Sequence, residues 1–202
     1  MPGRFAAETF TEPVLEAQRR YYGRAAEPEP RPEPDRLGPD EIEFISRIDG
    51  FAMATVTPGG WPYVQHRGGP AGFLQVLDDG RLAFADFKGN RQLISTGNLS
   101  AEGRVALLLI DHARRERLKI LGRASVLDAR DHPELADRLA PTRALRSKVE
   151  RLVLIEVVAV DWNCPAWITP RHTAAETAEL VEPLRRRISE LEARSGREPP
   201  GS

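Results

Sequence analysis

The stretch Phe51-Ala-Met-Ala-Thr-Val-Thr-Pro-Gly-Gly-Trp-Pro-Tyr-Val-Gln-His66 contains two extended segments on either side of a Pro58-Gly59-Gly60 turn. β-Branched and aromatic residues separated by such a turn are typical of two antiparallel strands. Because the second segment begins directly after the turn, the two strands are expected to pair with each other. This hairpin predicts an antiparallel sheet or barrel.

Five further segments continue the same pattern of short strands and turns. They are Phe73–Leu77, Arg81–Asp86, Arg104–Asp111, Arg117–Leu127 and Arg151–Val160. The unbroken apolar run of Arg104–Asp111 predicts a strand covered on both faces. Gly122 interrupts an alternating strand and predicts a bulge or a bend. With six or seven strands and few helices, the chain is mainly β with flanking helices, and a small β-barrel fits better than a doubly wound sheet.

The flanks of this strand-rich region divide the chain into three predicted parts. Residues 1–38 hold a helix-forming segment and an arm with alternating prolines, 39–172 form the barrel domain, and 173–202 form an amphipathic helix and a flexible tail. A helix is predicted at Pro39–Ile48 and a polar helical insert at Asp131–Lys148. Pro183 is expected to kink the C-terminal helix or to start a new one.

Composition limits the compartment and the partners. The 202 residues carry 29 basic and 30 acidic side chains, so the net charge of −1 predicts no general attraction to nucleic acid or membrane. A single cysteine excludes an intramolecular disulfide framework and a zinc cluster, and no apolar run is long enough for a membrane span. We therefore expect a cytoplasmic protein without a metal.

The corner Gly89-Asn90-Arg91 lies where a strand should give way to a helix. Gly89 permits an unusual turn, Asn90 could cap the helix, and the free amides at the helix start would lie beside Arg91. This arrangement suits a phosphate, because the guanidinium fork offers two hydrogen bonds to its oxygens. A surface turn with a solvated arginine is the alternative.

Two other groups of residues could converge on the same anion. Arg67 is followed by Gly68 and Gly69, whose bare backbone would allow a ligand to approach closely. Arg117 and Lys119 alternate with apolar residues, so both cations face one side of a strand. Each group by itself is also compatible with solvated surface.

Other chemistry-bearing residues leave their roles open. His66 could transfer protons or serve a structural purpose, and Cys164 could be a reactive thiol, although a packed side chain is the simpler interpretation. Trp162, Trp167 and Arg171 could cover a planar ring or anchor a loop. The chain lacks the Gly-x-Gly-x-x-Gly, nucleotide-hydrolase phosphate-loop, Gly-x-Ser-x-Gly and His-Glu-x-x-His motifs, so nothing supports a dinucleotide fold, a serine hydrolase or a zincin.

From about Asp40 to Arg171 the chain resembles the flavin-nucleotide-binding proteins related to pyridoxamine 5′-phosphate oxidase. The motifs that carry the resemblance are Gly60-Trp-Pro-Tyr-Val-Gln-His-Arg-Gly-Gly-Pro70, Phe84-Ala-Asp-Phe-Lys-Gly-Asn-Arg-Gln92, Ser95-Thr-Gly-Asn98, Arg117-Leu-Lys-Ile-Leu-Gly122, Asn163-Cys-Pro165 and Ile168-Thr-Pro-Arg171. Their order and spacing agree along the barrel. The resemblance implies the FMN-binding split-barrel fold, antiparallel and of Greek-key type.

The resemblance also implies FMN bound without a covalent link between the two subunits of a homodimer. Arg67 and Arg91 would be the main phosphate ligands, with Lys119 or Arg117 less closely matched, and Trp167 and Arg171 would come from the opposite subunit. The full set of cofactor-binding residues implied is Val64, Gln65, His66, Arg67, Gly68, Gly69, Ala85, Asp86, Asn90, Arg91, Gln92, Lys119, Trp167 and Arg171.

The function implied is an FMN-dependent oxidoreductase acting on a small-molecule electron donor and acceptor. The residues with which the oxidase binds its substrate phosphate have no counterpart in the charged C-terminal helix, so the organic substrate stays open. Alternatives are a non-catalytic flavin carrier or redox sensor, a barrel that binds haem through His66 or binds a deazaflavin, and an interaction module without a cofactor.

Overall fold

The computed structural model describes residues 3–162 and 166–195. Within these residues, seven antiparallel strands form one sheet in the order β2-β1-β5-β6-β7-β4-β3, which confirms the predicted mainly-β fold with flanking helices. The strands are β1 (Gly50–Val56), β2 (Pro62–Gly68), β3 (Gln75–Asp78), β4 (Arg81–Phe87), β5 (Arg104–Asp111), β6 (Glu116–Asp128) and β7 (Val149–Trp162). The helices are α1 (Arg4–Thr9), α2 (Glu12–Tyr22), α3 (Pro39–Arg47), α4 (Ile94–Ala101), α5 (Pro133–Leu139) and α6 (Ala174–Ser195), with a 3₁₀ helix at Arg143–Lys148.

The β1–β2 hairpin forms as the sequence predicts. Its ladder runs from Gly50 opposite Gly68 to Val56 opposite Pro62. At the turn, the Gly60 amide donates to the Thr57 carbonyl over 2.8 Å. Gly60 has a φ of 85°, a left-handed conformation that a residue without Cβ adopts at little cost. The turn chemistry therefore sets the register of β2.

Gly122 marks the predicted irregularity in β6. The register between β6 and β7 shifts between Leu121 and Gly122, as expected for a bulge. A Cβ at position 122 would lie 2.6 Å from Ile155 Cγ2 and 2.8 Å from the Glu156 carbonyl oxygen. Close approach of β7 is thus the physical reason for the glycine.

Two buried clusters lie on opposite faces of β4. Phe84 packs on one face with Phe51 and Phe73, their ring centroids 5.5 and 6.3 Å away from that of Phe84. On the other face, Ala83 and Ala85 join residues of α5 and β7 in a second cluster. Strand β4 is therefore covered on both sides, and it leads directly into the loop before α4.

The expectation that β5 is covered on both faces was wrong for the single protomer. Val105, Leu107 and Leu109 are buried, but Ala106, Leu108 and Ile110 between them are only partly buried. The physical reason is that α1 packs on β7 further along the sheet and leaves these β5 side chains partly exposed. An apolar outer surface thus remains on β1, β2 and β5.

The N-terminal arm and the C-terminal helix differ in how they join the barrel. In the arm, the Asp35 amide donates to the Val158 carbonyl, and its carboxylate accepts from the Val160 amide. Helix α6 has no buried residue. Of the two outcomes expected at Pro183, a kink or a new helix start, the new start does not occur, because α6 is one continuous helix with Pro183 inside it. Among the described residues, no helix combines the length and the apolar character needed to span a membrane.

Candidate functional site: the β4–α4 corner

The loop between β4 and α4 has an unusual backbone. Arg91 has a φ of 63° and Leu93 a φ of 55°, so two residues with side chains adopt the left-handed conformation in one short loop. This conformation costs about 1–2 kcal/mol for a residue other than glycine. Surrounding contacts must hold the corner in place, and such strained positions concentrate at functional sites.

The start of α4 has no side-chain cap. Leu93 is the N-cap residue and provides no side-chain hydrogen bond, so the first amides of α4 point towards the loop without a cap. The expectation that Asn90 caps this helix was wrong. Its carboxamide oxygen instead accepts from the Gln92 amide over 3.1 Å, because Asn90 lies four residues ahead of the helix and closes a local turn.

Asp86 lies between two arginines from different strands. Arg67 of β2 donates through Nη1 to Asp86 Oδ1 over 2.7 Å, and Arg151 of β7 donates through Nε to Asp86 Oδ2 over 2.9 Å. The three side chains are only 11–17% exposed. Burial disfavours the charged form of Arg151, but hydrogen bonds to Asp86 and Glu150 outweigh it and raise the pKa of Arg151 further.

Arg67 connects the open edge of the sheet to this corner. Strand β2 is at one end of the strand order and β4 is next to the other end, so the Arg67–Asp86 pair closes the barrel between them. The Arg67 guanidinium also lies 5.9 Å from the centre of the Phe84 ring. Its Nε atom is buried and has no hydrogen-bond partner among the described residues.

Arg91 differs from Arg67 and Arg151 in being free. Its side chain is exposed, and within residues 3–162 and 166–195 it has neither a hydrogen bond nor an ion pair. Together with Arg67 and Arg151 it lines a small cavity of about 40 Å³ at the corner. The Arg91 guanidinium, without a partner among the described residues, therefore lies beside the uncapped start of α4.

The wall of the cavity is polar. Ser95 is buried at the start of α4 and donates its hydroxyl to Gln65 Oε1 over 3.2 Å, which leaves the amide nitrogen of Gln65 as a donor. Six of the predicted site residues line this cavity together: Gln65, Arg67, Asp86, Asn90, Arg91 and Gln92.

The predicted residues of β2 do not all face the corner. Val64 and His66 are on the opposite, outer face of the strand, and Val64 is 61% exposed. The His66 ring lies over the backbone of Gly50 and Gly68, where an added Cβ would come within 2.6 and 2.9 Å of the ring. At Gly69 an added Cβ would lie 2.7 Å from the Phe73 ring, so packing already explains this glycine.

The remaining predicted residues lie elsewhere in the protomer. Ala85 is buried in the second cluster. Lys119 is on the outer face of β6, 2.8 Å from Asp161 and 4.9 Å from the centre of the Phe5 ring. Trp167 is 99% exposed, and Arg171 lines a separate cavity near the β5–β6 turn. Cys164, with Asn163 and Pro165, lies outside the described residues.

The family model described as pyridoxamine 5′-phosphate oxidase matches residues 39–162, which include the whole sheet and the corner. The chain belongs to the pyridoxamine 5′-phosphate oxidase family. This membership confirms the resemblance seen in the sequence, and it places the β4–α4 corner inside the part of the chain that the family shares.

Several solved structures are similar to part of this chain. A variant of the HupZ protein of Group A Streptococcus is 17% identical, with a TM-score of 0.50 over 63% of this chain and 99% of that chain. A putative pyridoxamine 5′-phosphate oxidase from Lactobacillus delbrueckii is 22% identical, with a TM-score of 0.48 over 62% of this chain and 93% of the other. An FMN-binding protein from Syntrophomonas wolfei is 13% identical, with a TM-score of 0.46 over 61% and 86%. No curated protein matches the chain.

Sequence reasoning missed four polar side chains that line this cavity: Tyr63, Ser95, Thr96 and Arg151. Ser95 and Thr96 belong to a motif that carried the resemblance, and their place at the start of a helix was the available signal. Alternation along strand β2 could have predicted Tyr63 at the site, since it shares a face with Gln65 and Arg67. Arg151 gave no local signal, because only the pairing of β4 with β7 places it opposite Asp86.

The donors at the corner suit an oxyanion better than a reaction that needs a nucleophile. Three guanidinium groups and one carboxylate line the cavity, so its lining carries two net positive charges. Side-chain amides and uncapped helix amides add neutral donors. Cationic forks together with helix amides are the usual protein environment of a phosphate.

Proposed function

We propose that this member of the pyridoxamine 5′-phosphate oxidase family binds FMN without a covalent link and acts as a cytoplasmic oxidoreductase with an unassigned substrate. The observation that carries the proposal is the left-handed corner at Arg91, where a guanidinium without a partner lies beside the uncapped start of α4. Both features are expected of a site for a phosphate group.

The residues at the corner fit the phosphate of FMN in charge and in chemistry. The two net positive charges of the cavity lining would neutralise a phosphate dianion. Arg67 Nε is a buried donor in need of an acceptor, and a donor left unsatisfied in this way costs about 1–3 kcal/mol. Arg91, Gln92 and the first amides of α4 would hold the phosphate, and Arg67 would contribute through the face that Asp86 leaves free.

The size of the cavity limits how much of the cofactor it encloses. The cavity, at about 40 Å³, is far smaller than a pocket that encloses a ligand of FMN's size, which takes roughly 300–1,000 Å³. The rest of the cofactor would therefore extend out of this cavity. A second protein surface is needed to cover it.

The apolar outer face of the sheet supports a homodimer as the source of that cover. The partly exposed residues of β5 continue in register onto β1 and β2, where Val64 is opposite Ala54 and Ala54 is opposite Ala106. A continuous apolar face without a covering layer is characteristic of an interface between subunits. Trp167 and Arg171 of the partner subunit would complete the groove.

FMN, when bound, would accept a hydride or electrons from a reduced donor and pass them to an acceptor. The chain's own residues would orient it and supply charge. Arg91 and the α4 amides would neutralise the phosphate. The amide nitrogen of Gln65, oriented by Ser95, would donate a hydrogen bond to the cofactor. None of these roles requires a nucleophile.

Arg91→Ala tests the proposal directly. Loss of a charge-assisted contact worth about 1.5–3 kcal/mol should weaken FMN binding roughly ten- to a hundredfold, as measured by fluorescence titration. Lys88→Ala removes an exposed cation of the same loop that does not line the cavity, and it should leave the affinity unchanged. Equal affinities for the two variants would remove Arg91 from the site.

One observation favours a second candidate function, binding of haem. The His66 imidazole is exposed on the outer face of β2, where it could reach a metal centre between two copies. A visible spectrum of the purified protein separates the two candidates, since FMN absorbs in the blue and haem shows a Soret band. A Soret band that His66→Ala abolishes would replace the flavin proposal.

A further inference from the structure

Helix α6 is an amphipathic helix whose apolar side has no cover within the described residues. It runs for 22 residues, Ala174–Ser195, and none of them is buried. Leu180, Leu184, Ile188 and Leu191 follow one another at helical spacing and are 47–63% exposed. A single helix gains little stability from its own hydrogen bonds in water, so such a stripe calls for a partner surface.

The residue types along the stripe specify which partner fits. A heptad frame that begins at Val181 puts Val181 and Ile188 at the a positions and Leu184 and Leu191 at the d positions. β-Branched residues at a with leucine at d favour two parallel strands in a coiled coil. The pattern is therefore that of a helix that pairs with a second copy of itself.

Charges beside the stripe agree with the same pairing. In this frame Arg187 occupies a g position and Glu192 the following e position, the two sites that meet across a parallel dimer. Arg187 of each copy would face Glu192 of the partner subunit, giving two symmetric ion pairs. Within the described part of the protomer, Arg187 pairs locally with Glu190 over 2.9 Å.

The other side of α6 has the composition expected of a solvent face. Glu182, Arg186 and Glu190 fall at the b, f and c positions, and Glu182 and Arg186 form an i,i+4 pair at 3.8 Å. Pro183 falls at a c position, so the Glu179 carbonyl that loses its helical partner faces water. The proline therefore does not interrupt the a/d seam.

We propose that α6 pairs with α6 of a second copy as a parallel two-stranded coiled coil. This interface is separate from the outer face of the sheet and does not depend on a bound flavin. If both form in one dimer, the barrel contact raises the effective concentration of the two helices to about the millimolar range, which favours their pairing.

Cysteine cross-linking of the full-length chain tests the pairing. In a Cys164→Ser background, Leu184→Cys and Ile188→Cys should each form a disulfide-linked dimer under mild oxidation, because equivalent seam positions face each other in a parallel pair. Ala193→Cys, at an f position on the far side, is the control and should stay unlinked. In an antiparallel pair, at most one of positions 184 and 188 lies opposite the same position of the second copy.

Failure of both seam cysteines to link would overturn the proposal, as would equal linking of the Ala193→Cys control. Cross-linking at only one seam position would also overturn it, in favour of an antiparallel contact. Packing of α6 on its own barrel predicts no linked species at any of the three positions. Each pattern can be read on a non-reducing gel.

A second measurement does not depend on disulfide chemistry. The double variant Leu184→Asp and Ile188→Asp should weaken self-association at least about tenfold in sedimentation equilibrium, since four seam side chains per dimer become charged. The matched control Ser189→Asp and Ala193→Asp adds the same charge on the far side and should change it less than about threefold. Indistinguishable dimer dissociation constants for the two variants would contradict the coiled coil. Titration of both variants with FMN tests the proposed function separately.

Discussion

The two faces of strand β2 carry residues of the same predicted site in opposite environments. On the inner face, Arg67 is bound to Asp86 and Gln65 to Ser95, and both line the cavity at the corner. On the outer face, Val64 is largely exposed and the His66 ring lies over the backbone of Gly50 and Gly68. The residues of one continuous sequence motif thus belong to two different surfaces.

This difference follows from the geometry of a strand, in which successive side chains point to opposite sides. The inner face can hold a phosphate and also closes the barrel. The outer face continues the apolar surface of β1 and β5 and is suited to another protein chain. Substitutions on the inner face should therefore affect folding, and those on the outer face should affect association.

The largest effect is expected on the inner face, from Asp86→Ala. This change leaves two mostly buried guanidinium groups without their shared carboxylate, and breaking a buried pair in this way costs about 3–5 kcal/mol. The free energy of unfolding from urea denaturation measures the loss.

The control for Asp86→Ala is Asp79→Ala, which breaks an exposed pair with Arg36. Such pairs contribute roughly 0–1 kcal/mol, so the control should lose little stability. If Asp86→Ala behaved like its control, the inner face would not close the barrel, and the contrast between the two faces would disappear.

A smaller effect, of a different kind, is expected on the outer face. Val64→Asp should weaken homodimerisation about tenfold or more in sedimentation equilibrium, because each dimer would bury two introduced carboxylates where two valines now lie. Unfolding free energy should change by less than about 0.5 kcal/mol in conditions that keep the chain monomeric.

Ser125→Asp serves as the control for Val64→Asp, since it introduces the same charge at an exposed position of β6. Its dimer constant should match that of the unaltered chain. A Val64→Asp variant that dimerises normally would show that the outer face of β2 is not an interface.

The smallest effect concerns how the inner face is positioned. Ser95→Ala removes one partly buried hydrogen bond, the contact to Gln65, and should cost about 0.5–1.5 kcal/mol of stability. Ser100→Ala, on an exposed position of the same helix, should cost less than about 0.5 kcal/mol. Equal losses would mean that Ser95 does not hold Gln65 in place.

Much of the fold was predictable from local patterns. The Pro58-Gly59-Gly60 turn, the alternation of β2 and the glycine in β6 each act over a few residues, and each has the expected structural outcome. The errors have non-local causes. Asn90 was expected to cap α4, but the loop extends to Leu93 before the helix starts. Strand β5 was expected to be covered on both faces, but Ala106, Leu108 and Ile110 are only partly buried in the protomer.

The sequence alone determined the strands, the hairpin turn and the family, because propensity, turn chemistry and motif spacing are properties of neighbouring residues. It also predicted a candidate anion site at Gly89, Asn90 and Arg91. Only the tertiary structure decided that Arg151 joins Arg67 at Asp86, and that Val64 and His66 face away from the corner. These facts depend on which strands pair and in what register, and pairing joins residues that are far apart in the chain.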